Sequence, residues 1–459
     1  MREFFIENAL MWLLEYRFDG LRLDAVHAIE DPDFLSDLAR RIRQQIDPTR
    51  HVWLTVENEL NQSSLLETDY DAQWNDDGHN ALHVLLTGET DAYYADYAAQ
   101  PTEQLVRCLS QGFVFQGHIT RHGEPRGEPS EHLPSTAFVL FLQNHDQIGN
   151  RAFGERLHQL ADPRAVQAAT VLLLLSPMIP LIFMGDEFAA EQPFLFFTSH
   201  HGELAELVRE GRRNEFAAFS AFTDPHKREQ IPDPNAEETF RASQPRLSGS
   251  GTPLQQQTQE LYRQLLKLRH QYIIPNLSGT QALGAQMLGY GAVSARWRLG
   301  NGSELRIDLN LSDTAVVNPA QTHTEWLFQQ PPALDLSDPN QLPAYTALVS
   351  LTAAPVMHPW MESAYERCAT GNTRQPSRPC RRLDRRQRAS AKSRSCCAAQ
   401  CPDRTRPPRQ HRARNRCQPA GTARGPARPP LAAPADLRRG CCPRSESLLF
   451  TGNALRNSS

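Results

Sequence analysis

The chain has 459 residues, and its net charge of −4 conceals two opposed parts. Residues 1–366 carry 26 basic and 48 acidic side chains, whereas residues 367–459 carry 22 basic and 4 acidic ones. An acidic body of that length has room for two or three domains and argues against nucleic acid or an anionic membrane as its partner.

The opening "REFFIENALMWLLEY" sets Phe5, Ala9 and Leu13 on one helical stripe, with Ile6, Leu10 and Leu14 beside it. Glu3, Glu7 and Glu15 interrupt the apolar surface, and the segment lacks the basic region and cleavage site of a signal peptide. "FDGLRLDAVH" follows as a strand. Leu21, Leu23 and Ala25 face one side and Arg22 and Asp24 the other. A charged pair in so apolar a strand is costly to bury unless its members serve each other or a ligand, and both readings stand at this point.

"DPDFLSDLARRIRQQI" has a capping aspartate, an early proline and a helical apolar period. "HVWLTVENEL" is the next strand, "YDAQWND" a shorter one, and a helix is expected from about Ala81. "STAFVLFLQNHD" is a strand, "DPRAVQAATVLLLL" a helix, and "IPLIFMGDE" a strand again. The apolar run 171–185 is too short for a membrane span and contains Pro177 and Pro180. Strands that alternate with helices and are apolar on nearly every residue predict an α/β fold with a helix-covered parallel sheet. Polar residues gather at the C-terminal strand ends, where a closed (β/α)8 TIM barrel places its active site. A doubly wound open sheet competes, but no Gly-rich phosphate loop of the kind it uses is visible.

From Gln259 the helix "LYRQLLKLRHQY" leads into strands such as "AVSARWRL" and "LRIDLNLS", a small C-terminal β-sandwich domain. The expected divisions are 1–258 for the barrel part, 259–355 for the β domain and 356–459 for a disordered tail. Residues 367–459 contain no Ile, Val, Met, Trp or Tyr and are too poor in apolar side chains to build a core. Eight of the nine cysteines fall there, without paired CxxC geometry, so a metal site is not expected. Translation in the wrong frame of a GC-rich gene is favoured over a basic tail. The single cysteine of the acidic part, Cys108, suits a reducing cytoplasm.

Asp24, Glu57 and Asp146 each end a predicted strand, and a barrel gathers such ends around one mouth. Two convergent carboxylates are what glycoside hydrolysis needs, one to attack the anomeric carbon and one to protonate the departing oxygen. Each also has a structural reading: Asp24 pairing with Arg22, Glu57 capping a helix, and Asp146 capping a loop.

"GLRLDAVH", "LTVENELN" and "FLQNHDQIGNR" resemble three signature regions of the α-amylase family of glycoside hydrolases. The resemblance places the nucleophile on Asp24, the general acid/base on Glu57 and the transition-state-stabilising aspartate on Asp146. It also puts Arg22 and His145 in the same sugar subsite and His27 one step outward, near the leaving group. Within the resemblance, Trp74 and Phe197 offer stacking faces for sugar rings or else belong to the core, and Asp76 and Asp77 suit sugar hydroxyls or a solvated turn. Longer blocks, including "YDAQWNDDGHNALHVLLTGE" and "PLIFMGDEFAAEQPFLFFTSHH", resemble the branch that releases trehalose from maltooligosyl trehalose. The resemblance implies an α-glucan partner and no cofactor. It also implies a partial (β/α)8 barrel, strands 4 to 8, because the family's first signature region has no match here. Little or no turnover is expected of such a partial barrel. An α-glucan branching enzyme, an amylase-type relative and a non-catalytic remnant are the alternatives.

Overall fold

A computed structural model describes residues 1–353, apart from 32, 217–223, 247–250, 319–325, 335–337 and 339. The chain divides into two units, Met1–Thr373 and Arg374–Ser459. The expected tail from residue 356, with its cysteines, lies outside the described residues.

Five strands form a parallel sheet in the order β1 (Gly20–Leu23), β2 (Trp53–Val56), β3 (Ala72–Trp74), β6 (Phe138–Leu140) and β7 (Ile179–Pro180). A small antiparallel hairpin, β4 (His118–Ile119) and β5 (Pro125–Arg126), lies between β3 and β6 in the chain. The helices Arg2–Leu10, Phe34–Gln45, Asp76–Thr87, Pro101–Gln111 and Pro163–Leu175 alternate with the parallel strands. Parallel strands need such crossovers, and the helices bury the apolar residues of the sheet. Leu54, Val56, Leu140 and Leu172 are fully buried in one contiguous core. At the two edges, the residues of β1 and β7 are only half-buried.

Local chemistry explains most boundaries. Asp162 caps Pro163–Leu175, accepting from the Arg164 N–H, with proline in the first turn. The helix expected from about Ala81 starts earlier, at Asp76, because the Asn75 side chain accepts the Gly78 N–H at 3.2 Å. The run "IPLIFMGDE" pairs with β6 at Ile179 and Pro180, with the Leu181 N–H on the Leu140 carbonyl at 2.8 Å, and a proline is tolerated there because the strand lies at the sheet edge.

The second sheet is antiparallel, in the order β12 (Trp326–Gln330), β14 (Thr346–Thr352), β10 (Glu304–Asn310), β9 (Ala292–Arg298) and β8 (Gln281–Gly289). A two-stranded sheet, β11 (Val316–Val317) with β13 (Gln341–Leu342), accompanies it. Val293, Ala295 and Trp297 alternate with polar neighbours along β9, so one face is apolar and buried. The helices Pro163–Leu175 and Pro101–Gln111 pack on this sheet, joining its apolar side to the core of the parallel one. The helix Pro253–Leu268 straddles the expected division at 258/259 and packs on Pro163–Leu175. Among the described residues no helix is long and apolar enough to cross a membrane.

Gly112 ends the helix Pro101–Gln111 at φ 95°, and a Cβ there would lie 2.1 Å from the Phe138 ring. Gly112→Ala is therefore expected to destabilise the fold by about 3 kcal/mol, read from the urea midpoint. An unchanged midpoint would show that the Phe138 ring has room to yield.

Candidate active site

The site is built on strand ends. β1 and β2 run in register with Leu23 beside Val56, so Asp24 and Glu57 leave neighbouring strands at the same level. The ladder continues past both, with Glu57 N–H on the Leu23 carbonyl at 2.9 Å and Val26 N–H on the Glu57 carbonyl at 3.0 Å. Between them Ala25 adopts a left-handed conformation, φ 44°, and its N–H donates to the Glu57 carboxylate at 2.8 Å.

Arg22 joins the two carboxylates. One guanidinium nitrogen hydrogen-bonds to Asp24, and another lies 2.9 Å from Glu57 Oε2. The same guanidinium sits over the Trp74 ring, 4.1 Å from its centroid, a cation–π contact. Trp74 ends β3, and its ring meets that of His145 at 6.0 Å, edge to face. His145 and Asp146 open the short helix His145–Gly149, capped by the Asn144 side chain. His145 Nε2 lies 3.5 Å from Asp146 Oδ2. The side chains of Asp24 and Asp146 remain about two-fifths exposed, at 43% and 41%, so solvent and ligands reach both.

Burial pushes the Glu57 carboxyl up; Arg22 and the Ala25 N–H oppose this, and Asp146 and Asp24 add to it. Such a group retains a proton more readily than an ordinary carboxylate, which suits proton donation. Asp76, in the first turn of Asp76–Thr87, lies within the electrostatic reach of Glu57 and Asp146. Burial first, then Glu57, Asp77 and Asp146, push it up to about 8.

Three further residues singled out from the sequence, Asp77, His27 and Phe197, contact other partners. Asp77 is fully buried and does not occupy a solvated turn. Its carboxylate accepts from Asn61, from the Val114 and Phe115 N–H groups, from Tyr97 and from Arg126. Those bonds occupy both oxygens and tie the loop after β2 to the segment before the hairpin. His27 accepts the Glu59 N–H at 3.3 Å through Nδ1, and its Nε2 lies 3.7 Å from the Glu59 carboxylate. Phe197 packs edge to face with Phe194 and Phe240. The sequence reading passed over Glu89, which binds Arg151 and His83. A lone glutamate after Gly88 gives no periodic or motif signal of such a role. Among the described residues no group of three His, Cys, Asp or Glu side chains is placed to hold a metal ion.

Asp76 also gives a pH signature. Its folded-state value lies above the ordinary ~3.9 of an unfolded aspartate, so the folded chain keeps a proton that the unfolded chain loses. Its favourable contribution is therefore present below about pH 4 and is lost as pH rises through about 8. Asp76→Asn is expected to gain stability on the parent as pH rises from about 4 to about 8, in paired urea titrations. A pH-independent difference would contradict this.

The chain is similar to several known proteins. Residues 280–349 match a family described as Domain of unknown function (DUF3459). Over 278 residues the chain is 40% identical to the malto-oligosyltrehalose trehalohydrolase of Deinococcus radiodurans, covering 59% of this chain and 45% of that protein. Over 373 residues it is 31% identical to the Mycobacterium tuberculosis enzyme of that name, covering 77% of this chain and 61% of that protein. A solved structure from Salmonella typhimurium, provisionally described as an alpha amylase, is 41% identical, with a TM-score of 0.69 over 76% of this chain and 60% of that one. The chain thus spans about half the length of the curated relatives it matches. It is a homologue of the malto-oligosyltrehalose trehalohydrolases.

Proposed function

We propose that this chain carries the catalytic residues of a retaining glycoside hydrolase that frees trehalose from maltooligosyl trehalose at the adjacent α-1,4 bond. The observation that carries the reading is the single guanidinium of Arg22 touching both Asp24 and Glu57. It favours the short carboxylate separation, ~5–5.5 Å, of retaining enzymes over the wider gap that inverting enzymes need for a water. The parallel sheet and its helices are then the part of a (β/α)8 barrel that holds strands 4 to 8, with the site at their C-terminal ends.

In this mechanism Asp24 attacks the anomeric carbon as Glu57 protonates the glycosidic oxygen. The C–O bond breaks, trehalose leaves, and a glycosyl ester of Asp24 remains. Glu57, now a carboxylate, takes a proton from water, whose oxygen displaces Asp24. Asp146 and His145 bind hydroxyls of the reacting sugar, and Trp74 backs Arg22. The two carboxylates supply both attack and proton, so the chemistry calls for no cofactor.

The half-buried edge strands β1 and β7 favour a second reading, a non-catalytic glucan binder. Chromatography of maltooligosyl trehalose incubated with the chain distinguishes the two. The first reading expects free trehalose from the parent, at the low turnover expected of a partial barrel, and none from Asp24→Asn, with glucan affinity kept within about threefold. Binding without release in both proteins would support the second. New α-1,6 branches in place of trehalose would identify a transferase.

A further inference from the structure

One ionic cluster beside the site has no part in that chemistry. Glu89 follows Gly88, the left-handed residue that ends the helix Asp76–Thr87. Its carboxylate receives both terminal nitrogens of Arg151, at 2.8 and 2.9 Å, and lies 2.8 Å from His83 Nε2. Arg151 also donates to Glu155 at 3.1 Å. His83 is buried and stacks on Tyr94, with centroids 4.1 Å apart and planes 9° from parallel. Burial lowers the His83 pKa, so its neutral ring donates Nε2–H to Glu89. The His83 hydrogen bond, working against burial and helped by Arg151, holds Glu89 down to about 2.

The cluster closes a ring through the site. Arg151 lies five residues after Asp146. The helix between them is held at its start by Asn144, which accepts the Asp146 N–H at 2.8 Å. At its end, Arg212 donates to the Gly149 and Arg151 carbonyls at 2.5 and 3.1 Å. From Glu89 the helix Asp76–Thr87 runs back to Trp74 at the end of β3, and Trp74 meets His145. A bidentate arginine–carboxylate pair fixes angle as well as distance, which a single contact does not.

We propose that Glu89 is a positioning residue which, through Arg151, fixes Asp146 and His145 against Trp74 and the Arg22 pair. Its kinetic consequence rests on the hydrolase reading. Glu89→Gln keeps the size of the side chain and removes the charge-assisted fork. In a parent that releases trehalose, kcat is expected to fall ~10–100-fold while KM stays within about twofold. An unchanged kcat, or a loss wholly in KM, would overturn the proposal. Failure of the parent to release trehalose defeats the hydrolase reading alone. The full chain labelled with 15N-histidine then decides the matter. Glu89→Gln is expected to shift the ring signals of both His83 and His145, assigned by substitution. If His83 moves and His145 does not, the cluster is local and the proposal fails. Should Glu89→Gln not fold, Arg151→Lys, which keeps the charge and loses the fork, is read in the same two ways.

Discussion

The site depends on one guanidinium. Arg22 stands between Asp24 and Glu57, sits over the Trp74 ring, and projects from an edge strand whose apolar residues face the other way. A lysine could not do the same, because a point charge on a flexible stem has no plane to stack and no fork to share between two carboxylates. The register of β1 against β2 supplies the other half of the constraint. A slip of one residue would turn Arg22 and Asp24 towards the opposite side of the sheet.

That constraint is local, and the rest of the fold extends it. Gln73, fully buried in β3, donates to the Asn58 carbonyl and to Asn61 just after Glu57, at 2.9 and 3.0 Å. Asn61 in turn donates to Asp77 at 2.8 Å. The loop after the Glu57 strand is therefore anchored to the strand and helix that carry Trp74 and Asp76. Asp77 gathers the most donors of this buried polar chain, with Asn61, Tyr97, Arg126 and the Val114 and Phe115 N–H groups on its carboxylate.

The sequence disclosed the order of the elements and the residues at the strand ends, because both follow from short-range rules. Hydrophobic runs of four to eight residues mark buried strands, and Asp24 and Glu57 directly follow β1 and β2, whereas β6 stops at Leu140 and Asp146 lies beyond it in the helix His145–Gly149. The helix after β3 starts earlier than its apolar period predicts, for a physical reason. "NDDGHNALH" is polar and contains glycine, so its first turns lack an apolar stripe, and the Asn75 cap decides the boundary. The polar look of Asp77 suggested solvent or a sugar, whereas its partners come from 16 to 49 residues away. No window of sequence contains such a network. Glu89 illustrates the same limit, since Arg151 lies 62 residues further on. The double role of Arg22 was half legible: spacing suggested the pair with Asp24, but not the contact with Glu57 across the strand register.

The balance of charge around Arg22 fits the proposed chemistry better than a structural ion pair does. Asp24, Glu57, Asp76 and Asp146 interact electrostatically around one another, and Arg22 is the cation paired with the first two. A pair serving stability alone needs one carboxylate, and each further one adds repulsion and desolvation cost. Two of the four answer that cost by holding protons more tightly: Glu57, where a proton is useful, and Asp76, at the start of a helix. What remains is an excess of negative potential at an open strand end. Glycosidic bond cleavage develops positive charge on the sugar, so the excess is unfavourable in the empty site and favourable in the transition state. An arrangement that is costly at rest and relieved only when a cation-like species forms is what differential binding of a transition state requires.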